Sequence, residues 1–200
     1  VSGKVFFAWQ ADTPNRVGRS LIEAAANSAI KRIAADLTLD EPMRDAMELD
    51  HDTKGEPGQP PIVDTIFRKI SASLAFIADL TFTGIRIGRE GKPDRPTPNP
   101  NVLIEYGYAL KALSHRRLIP IMNAAYGTPS DITLPFDMKH LRWPHTYNLA
   151  AEATADQKKK ELQALAQHIE MALRAILSSD DYRASVRATS TPPPFSAAEP

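Results

Sequence analysis

The chain contains no cysteine, no apolar run long enough to span a bilayer and no excess of either charge sign. The first absence removes a disulfide framework, a thiolate zinc site and a cysteine nucleophile together, and it fits a reducing, cytoplasmic location. The second excludes a membrane-spanning helix and a signal peptide, so no membrane partner is expected. The third follows from 24 Lys plus Arg against 24 Asp plus Glu, and it argues against nucleic acid or an acidic surface as partner. Familiar site signatures are missing as well. Gly88-Arg89-Glu90-Gly91-Lys92 is not a phosphate-binding loop, because position 86 is Arg and no strand immediately precedes it. No dinucleotide GxGxxG occurs. His51, His115, His140, His145 and His168 are scattered without an HExxH pair, so no metal site is expected. Ser20, Ser28 and Ser71 lack the strand-turn-helix setting of a serine nucleophile. The chain opens on Val1 rather than Met, as expected of a trimmed or excerpted sequence.

What remains is ordinary globular composition, 42% apolar and 24% charged over 200 residues, enough for one domain with one core. That domain is expected over 1–180, with a Pro/Ser/Ala-rich linker or tail over 181–200 that leaves room for a following domain. Val5-Phe6-Phe7-Ala8-Trp9 and Leu74-Ala75-Phe76-Ile77-Ala78-Asp79-Leu80 read as strands covered on both faces, as does Leu118-Ile119-Pro120-Ile121-Met122. A short strand is expected near Met47-Glu48-Leu49 and an edge strand near Leu141-Arg142-Trp143. Helical spacing of apolar residues predicts helices from Arg16 to Ala35, from Pro60 or Pro61 to Ser73, from a cap at Asn101 to Leu113, and from Asp156 to Leu177. The stretch from Thr83 to Pro98 reads as one long polar connection. Strand-then-helix repetition predicts an α/β fold, a three-layer parallel sheet flanked by helices.

In such a sheet ligands bind at the carboxyl ends of the strands. Trp9 to Arg16, Asp79 to Thr83 and Asn99 to Glu105 are therefore the candidate segments. Glu105 falls beside the buried stripe of its helix, early enough for the N-terminus to favour the anion. There it either satisfies the first turn or stabilises a developing oxocarbenium ion, with nucleophilic attack at a glycosidic carbon as the covalent variant. Asp79 ends an apolar strand, where it caps a turn or meets a ligand. Trp9 is a core residue or a stacking surface for a base, with Gln10 beside it as a hydrogen-bonding partner.

Four segments carry a family resemblance: Phe6 to Asp12, Asp50 to Gly58, Phe76 to Asp79, and Pro98-Asn99-Pro100-Asn101-Val102-Leu103-Ile104-Glu105-Tyr106-Gly107-Tyr108-Ala109. Over about residues 4 to 145 the chain resembles the bacterial TIR-like nucleotide-binding domains. The Asp strand end and the Glu-x-Gly-Tyr-Ala helix are also similar to those of nucleoside deoxyribosyltransferases. The resemblance implies a flavodoxin-like sheet and a hydrolase that cleaves NAD to nicotinamide and linear or cyclised ADP-ribose. NAD would be substrate rather than cofactor, and no other cofactor is implied. It places Glu105 as the catalytic residue, with Trp9, Gln10, Asp12, Asp79, Asn99 and Asn101 lining the nucleotide pocket. It also implies self-association through TIR domains, a role as a clustered effector in antiphage immunity, and a C-terminal sensor domain. A nucleoside N-glycosidase or transferase, and a non-catalytic assembly module built on the Asp50-to-Gly58 loop, are the alternatives that the same resemblance carries.

Overall fold

The computed structural model describes residues 3–39, 47–52, 61–180 and 182. The expected loop over 53–58, the helix start at Pro60 and the tail over 183–200 lie outside the described residues. The elements in chain order are β1 (Lys4–Ala8), α1 (Arg19–Ala34), β2 (Glu48–Asp50), α2 (Ile62–Ala72), β3 (Ala75–Asp79), β4 (Phe82–Arg86), β5 (Arg95–Pro98), α3 (Pro100–Leu113), β6 (Leu118–Asn123), β7 (His145–Tyr147) and α4 (Ala155–Leu177).

Five strands form one sheet in the order β2-β1-β3-β6-β7, and every neighbouring pair in it is parallel. Counting only these five along the chain, the order is 2-1-3-4-5, the flavodoxin-like arrangement. Successive side chains of a strand face opposite sides, and β1 uses both: Val5 and Phe7 point into one core layer, Phe6 and Ala8 into the other. The first layer is closed by α1 and α4 through Leu21, Ile22, Ile33, Leu165, Ile169 and Leu173. The second is closed by α2 and α3 through Ile70, Val102, Tyr106 and Leu113. Phe6 and Phe76 stack across neighbouring strands there, ring centroids 5.9 Å apart. Each fully buried side chain of this size contributes about 1.5–3 kcal/mol.

Helix α4 starts in a capping box, Thr154 Oγ1 accepting from Gln157 N while Gln157 Oε1 accepts from Thr154 N. It lies along α1, and Arg174 bridges Asp36 at 2.6 Å and Glu170 at 3.0 Å along that seam. Thr38 and Arg174 together hold the Asp36 carboxyl down at about 2. Among the described residues no helix is long and apolar enough to cross a membrane.

Three readings of the sequence need correction. The stretch from Thr83 to Pro98 is not one open connection: it folds into a two-stranded antiparallel hairpin, β4 with β5. Its turn uses Gly91 at φ 78°, a left-handed conformation that costs glycine little. The edge strand lies at His145–Tyr147 rather than at Leu141-Arg142-Trp143. Only the later segment is in register with the end of β6, Ile121 opposite His145 and Asn123 opposite Tyr147. The apolar spacing that predicts α1, Val17, Leu21, Ala24, Ala25, Ser28 and Ile33, would put Ala24 on the buried face, but that face runs through Ala25, Ala26 and Ala29 and Ala24 is exposed.

Candidate functional site

The segments that follow β1, β2, β3 and β6 meet at the carboxyl ends of the parallel strands, with the order reversing between β1 and β3. In this topology that reversal opens the ligand crevice. Three groups of side chains meet there, and the sequence had pointed to at least one member of each.

The first group ties β1 to β3. Gln10, only 3% exposed, donates from Nε2 to Asp79 Oδ2 at 3.0 Å and to Thr13 Oγ1 at 2.8 Å. Its Oε1 accepts from the amides of Asp12 and Thr13, at 2.5 and 3.0 Å. Asp79, with no exposed surface, accepts through Oδ1 from Thr81 N at 3.1 Å. Burial pushes the Asp79 carboxyl up, and the Thr81 and Gln10 hydrogen bonds pull it partly back. Both side chains are thus taken up within the protein, setting the loop after β1 and the turn after β3. The capping role that Asp79 could have had is the one it performs. Beneath them Asn123, which sequence reasoning missed, donates from Nδ2 to the carbonyls of Val17 and Leu149 and from its amide to Thr81 Oγ1. Tyr147 adds a hydroxyl donation to Val17 O at 2.7 Å. A saturated buried network of this kind is rigid, so the crevice has a fixed floor.

The second group joins the loop after β1 to the start of α3. Asn99 is the cap of this helix, its Oδ1 accepting from the amides of Asn101 and Val102 at 2.9 and 3.4 Å. The expected cap at Asn101 is therefore displaced by two residues. Pro100, which has no N–H to satisfy and a φ already suited to a helix, fills the first helical position. Asn101 lies exposed inside the first turn. Asn99 Nδ2 donates to Asp12 Oδ2 at 2.7 Å, so Asp12 and Asn99 form a latch across the crevice mouth.

The third group carries the charge. Trp9, half-buried after β1, donates from Nε1 to Asp52 Oδ1 at 2.8 Å. The Arg19 guanidinium lies 3.5 Å above its ring centroid, a favourable cation–π contact. The Trp9 ring face covered by Arg19 is therefore closed to a stacked base. Asp52 Oδ2 is 3.1 Å from His51 Nδ1, and Asp52 has φ 48°, a conformation that Asp tolerates better than most residues. Glu105 sits in the second turn of α3 beside this group. Its carboxyl is pushed up to about 7, first by burial and then by the negative charge of Asp52. The sequence reading had the helix N-terminus favouring the anion. That influence fades beyond the first turn, and desolvation outweighs it at Glu105. Among the described residues no cation pairs with Glu105. Asp52 and Arg19 were not anticipated as neighbours; the Trp9 to Asp52 bond spans 43 positions.

Two cavities lie elsewhere. One of about 500 Å³ adjoins the start of α4 at Asn148, Glu152, Gln157 and Lys160. Another of about 730 Å³ lies between β6, α4 and the Leu141-to-Thr146 segment. Neither is lined by Glu105. Among the described residues no cluster of three or more His, Asp or Glu side chains is placed to hold a metal ion. In comparisons with known proteins the chain matches no family model and no curated protein.

Proposed function

We propose that this chain is a TIR-type NAD glycohydrolase with Glu105 as its catalytic residue. The observation that carries the reading is a half-buried carboxyl raised to about 7 beside a second carboxylate, next to the crevice where a flavodoxin-like sheet binds ligands. Among the described residues no cation pairs with Glu105, and two acidic groups side by side favour a positively charged guest. The nicotinamide riboside end of NAD is one: its pyridinium carries the charge in the ground state, and C1′ of the ribose takes it up as the bond to nitrogen breaks.

In this reading the electron pair of the C1′–N bond leaves with neutral nicotinamide, and the ionised Glu105 stabilises the ribosyl cation or forms an ester with it. The approach of the pyridinium favours loss of the Glu105 proton, so binding itself brings the residue into its working form. Trp9, anchored by Asp52 and Arg19, forms one wall. Asp12 and Asn99 close the mouth, and Asn101 is exposed beside them. Gln10 and Asp79 act beneath the pocket rather than on the substrate. Cyclised ADP-ribose forms where a substrate hydroxyl or ring nitrogen, rather than water, captures the cation. The cellular setting that goes with this activity is a cytoplasmic effector of bacterial antiphage defence, switched on by clustering through a sensor domain.

The test is nicotinamide release from NAD by the concentrated or artificially clustered chain. Glu105→Gln is expected to lower the rate by on the order of 100-fold or more, the usual effect of removing a group aimed at transition-state charge. Equal rates in the two proteins refute the assignment. Base release from nucleosides with NAD untouched would move the chain to the nucleoside N-glycosidases, and concentration-dependent assembly without turnover would make it an assembly module.

A further inference from the structure

The group at the end of β2 holds more than a charge. His51 and Asp52 are adjacent in the chain, yet their side chains meet, Nδ1 to Oδ2 at 3.1 Å. Adjacent residues of an extended strand point to opposite faces, so this contact needs the chain to turn, and the φ of 48° at Asp52 supplies the turn. The Asp52 carboxylate is fixed from its other side by Trp9 Nε1 at 2.8 Å. The carboxylate only accepts, so Nδ1 is the nitrogen that carries the proton. In the neutral ring Nε2 is then a free lone pair. His51 is placed as well as paired: its side chain is 14% exposed, and its amide donates to Asp50 Oδ1 at 2.9 Å. Asp50 in turn is neutralised by Lys69 at 2.9 Å and approached by Lys4 at 3.9 Å. An imidazole held by a carboxylate at one nitrogen, with no partner at the other among the described residues, is the arrangement of a general base.

We propose that His51 is a second catalytic residue, the general base that activates water for attack on C1′, with Asp52 as its positioning residue. This rests on the NAD-cleaving reading of Glu105. The first step breaks the C1′–N bond, and the electron pair leaves with nicotinamide. In the second, the water oxygen forms a bond to C1′ as one of its protons passes to His51 Nε2, while C1′ parts from the Glu105 oxygen or from its ion pair. His51 then returns the proton to solvent, so NAD and water become ADP-ribose, nicotinamide and one proton. His51 has no part in the first step.

That division gives the test. Nicotinamide itself can recapture C1′ through its ring nitrogen, which has no proton to lose, so exchange of isotopically labelled nicotinamide into NAD bypasses His51. Hydrolysis and exchange are measured side by side on the full chain carrying His51→Gln or Asp52→Asn. The amide of Asp52→Asn can donate to Nδ1, which leaves the proton on Nε2 and removes the base without removing the ring. In both variants the ratio of hydrolysis to exchange is expected to fall by about 100-fold or more, the usual contribution of a positioned base. An unchanged ratio in His51→Gln overturns the proposal, including the case where both reactions fall in step, which marks His51 as structural. If the unsubstituted chain catalyses neither reaction, the Glu105 reading falls and takes the His51 assignment with it.

Discussion

Glu105→Gln is expected to make the protein more stable at about pH 8 while removing its activity. Burial and Asp52 raise the Glu105 carboxyl to about 7 from its ordinary 4.5. Between those values the folded chain holds a proton that the unfolded chain has released, so folding stability falls as pH rises through the interval. The penalty is absent below 4.5 and complete above about 7. At about 1.4 kcal/mol per pH unit, the interval of roughly 2.5 sets a ceiling near 3.4 kcal/mol. Water reaching the half-buried group reduces that to about 1.5–2.5 kcal/mol. Glutamine keeps the shape and never ionises. The variant is therefore expected to melt roughly 4–8 °C higher than the unsubstituted chain at about pH 8 and to coincide with it near pH 4.5. Urea unfolding followed by tryptophan fluorescence over a pH series checks both limbs. A variant equal to or less stable than the unsubstituted chain at about pH 8 refutes the desolvated carboxylate, and with it the physical reason for placing chemistry there.

Other substitutions test the scaffold around the site. Gln10→Ala strips Asp79 of its Nε2 partner and leaves two loop amides without Oε1; a loss of about 2–4 kcal/mol in chemical unfolding is expected. Asn99→Ala removes the cap of α3 and the latch to Asp12, and should cost about 1 kcal/mol with a weakened NAD KM in the turnover assay. Lys69→Met leaves the buried Asp50 at the end of β2 without its 2.9 Å partner and with only Lys4 at 3.9 Å, a change expected to cost about 2–4 kcal/mol by thermal melting. At the far edge, His168 stacks on His145 with centroids 3.5 Å apart. Burial, then His145 and Arg142, lower it from 6.5 to about 4. Its contribution to stability is thus full above 6.5 and lost as pH falls towards 4. An NMR titration should find this ring neutral at pH 5.5, and a midpoint near 6.5 would contradict the packing.

The parts of the fold legible in the sequence are those where one local pattern decides. β1 and β3 are nearly unbroken apolar runs because helices cover both faces, and α4 carries its stripe at Leu165, Ile169 and Leu173 in plain helical spacing. The β4 to β5 hairpin was hidden because Gly84, Pro96 and Pro98 interrupt the alternation that marks a strand. β7 is three residues long, and its existence depends on pairing with β6 rather than on its own composition. The candidate site divides in the same way. Glu105 could be singled out because helical spacing puts it at the margin of the buried face. The consumption of Gln10 and Asp79 by each other spans 69 positions and leaves no trace in either local segment. Asp52 reaches Trp9 and His51 only because its backbone is left-handed, which no spacing rule announces.

The central claim is that the Glu105 carboxyl is desolvated and meets the cationic end of a dinucleotide. Carbon-13 NMR of the Glu105 side-chain carboxyl, titrated with and without NAD, measures this at the atom concerned. The account predicts a midpoint near 7 in the free protein, moving to lower pH as oxidised NAD binds and moving little with the reduced form, whose ring is neutral. A midpoint near the ordinary 4.5, unmoved by either dinucleotide, would contradict it.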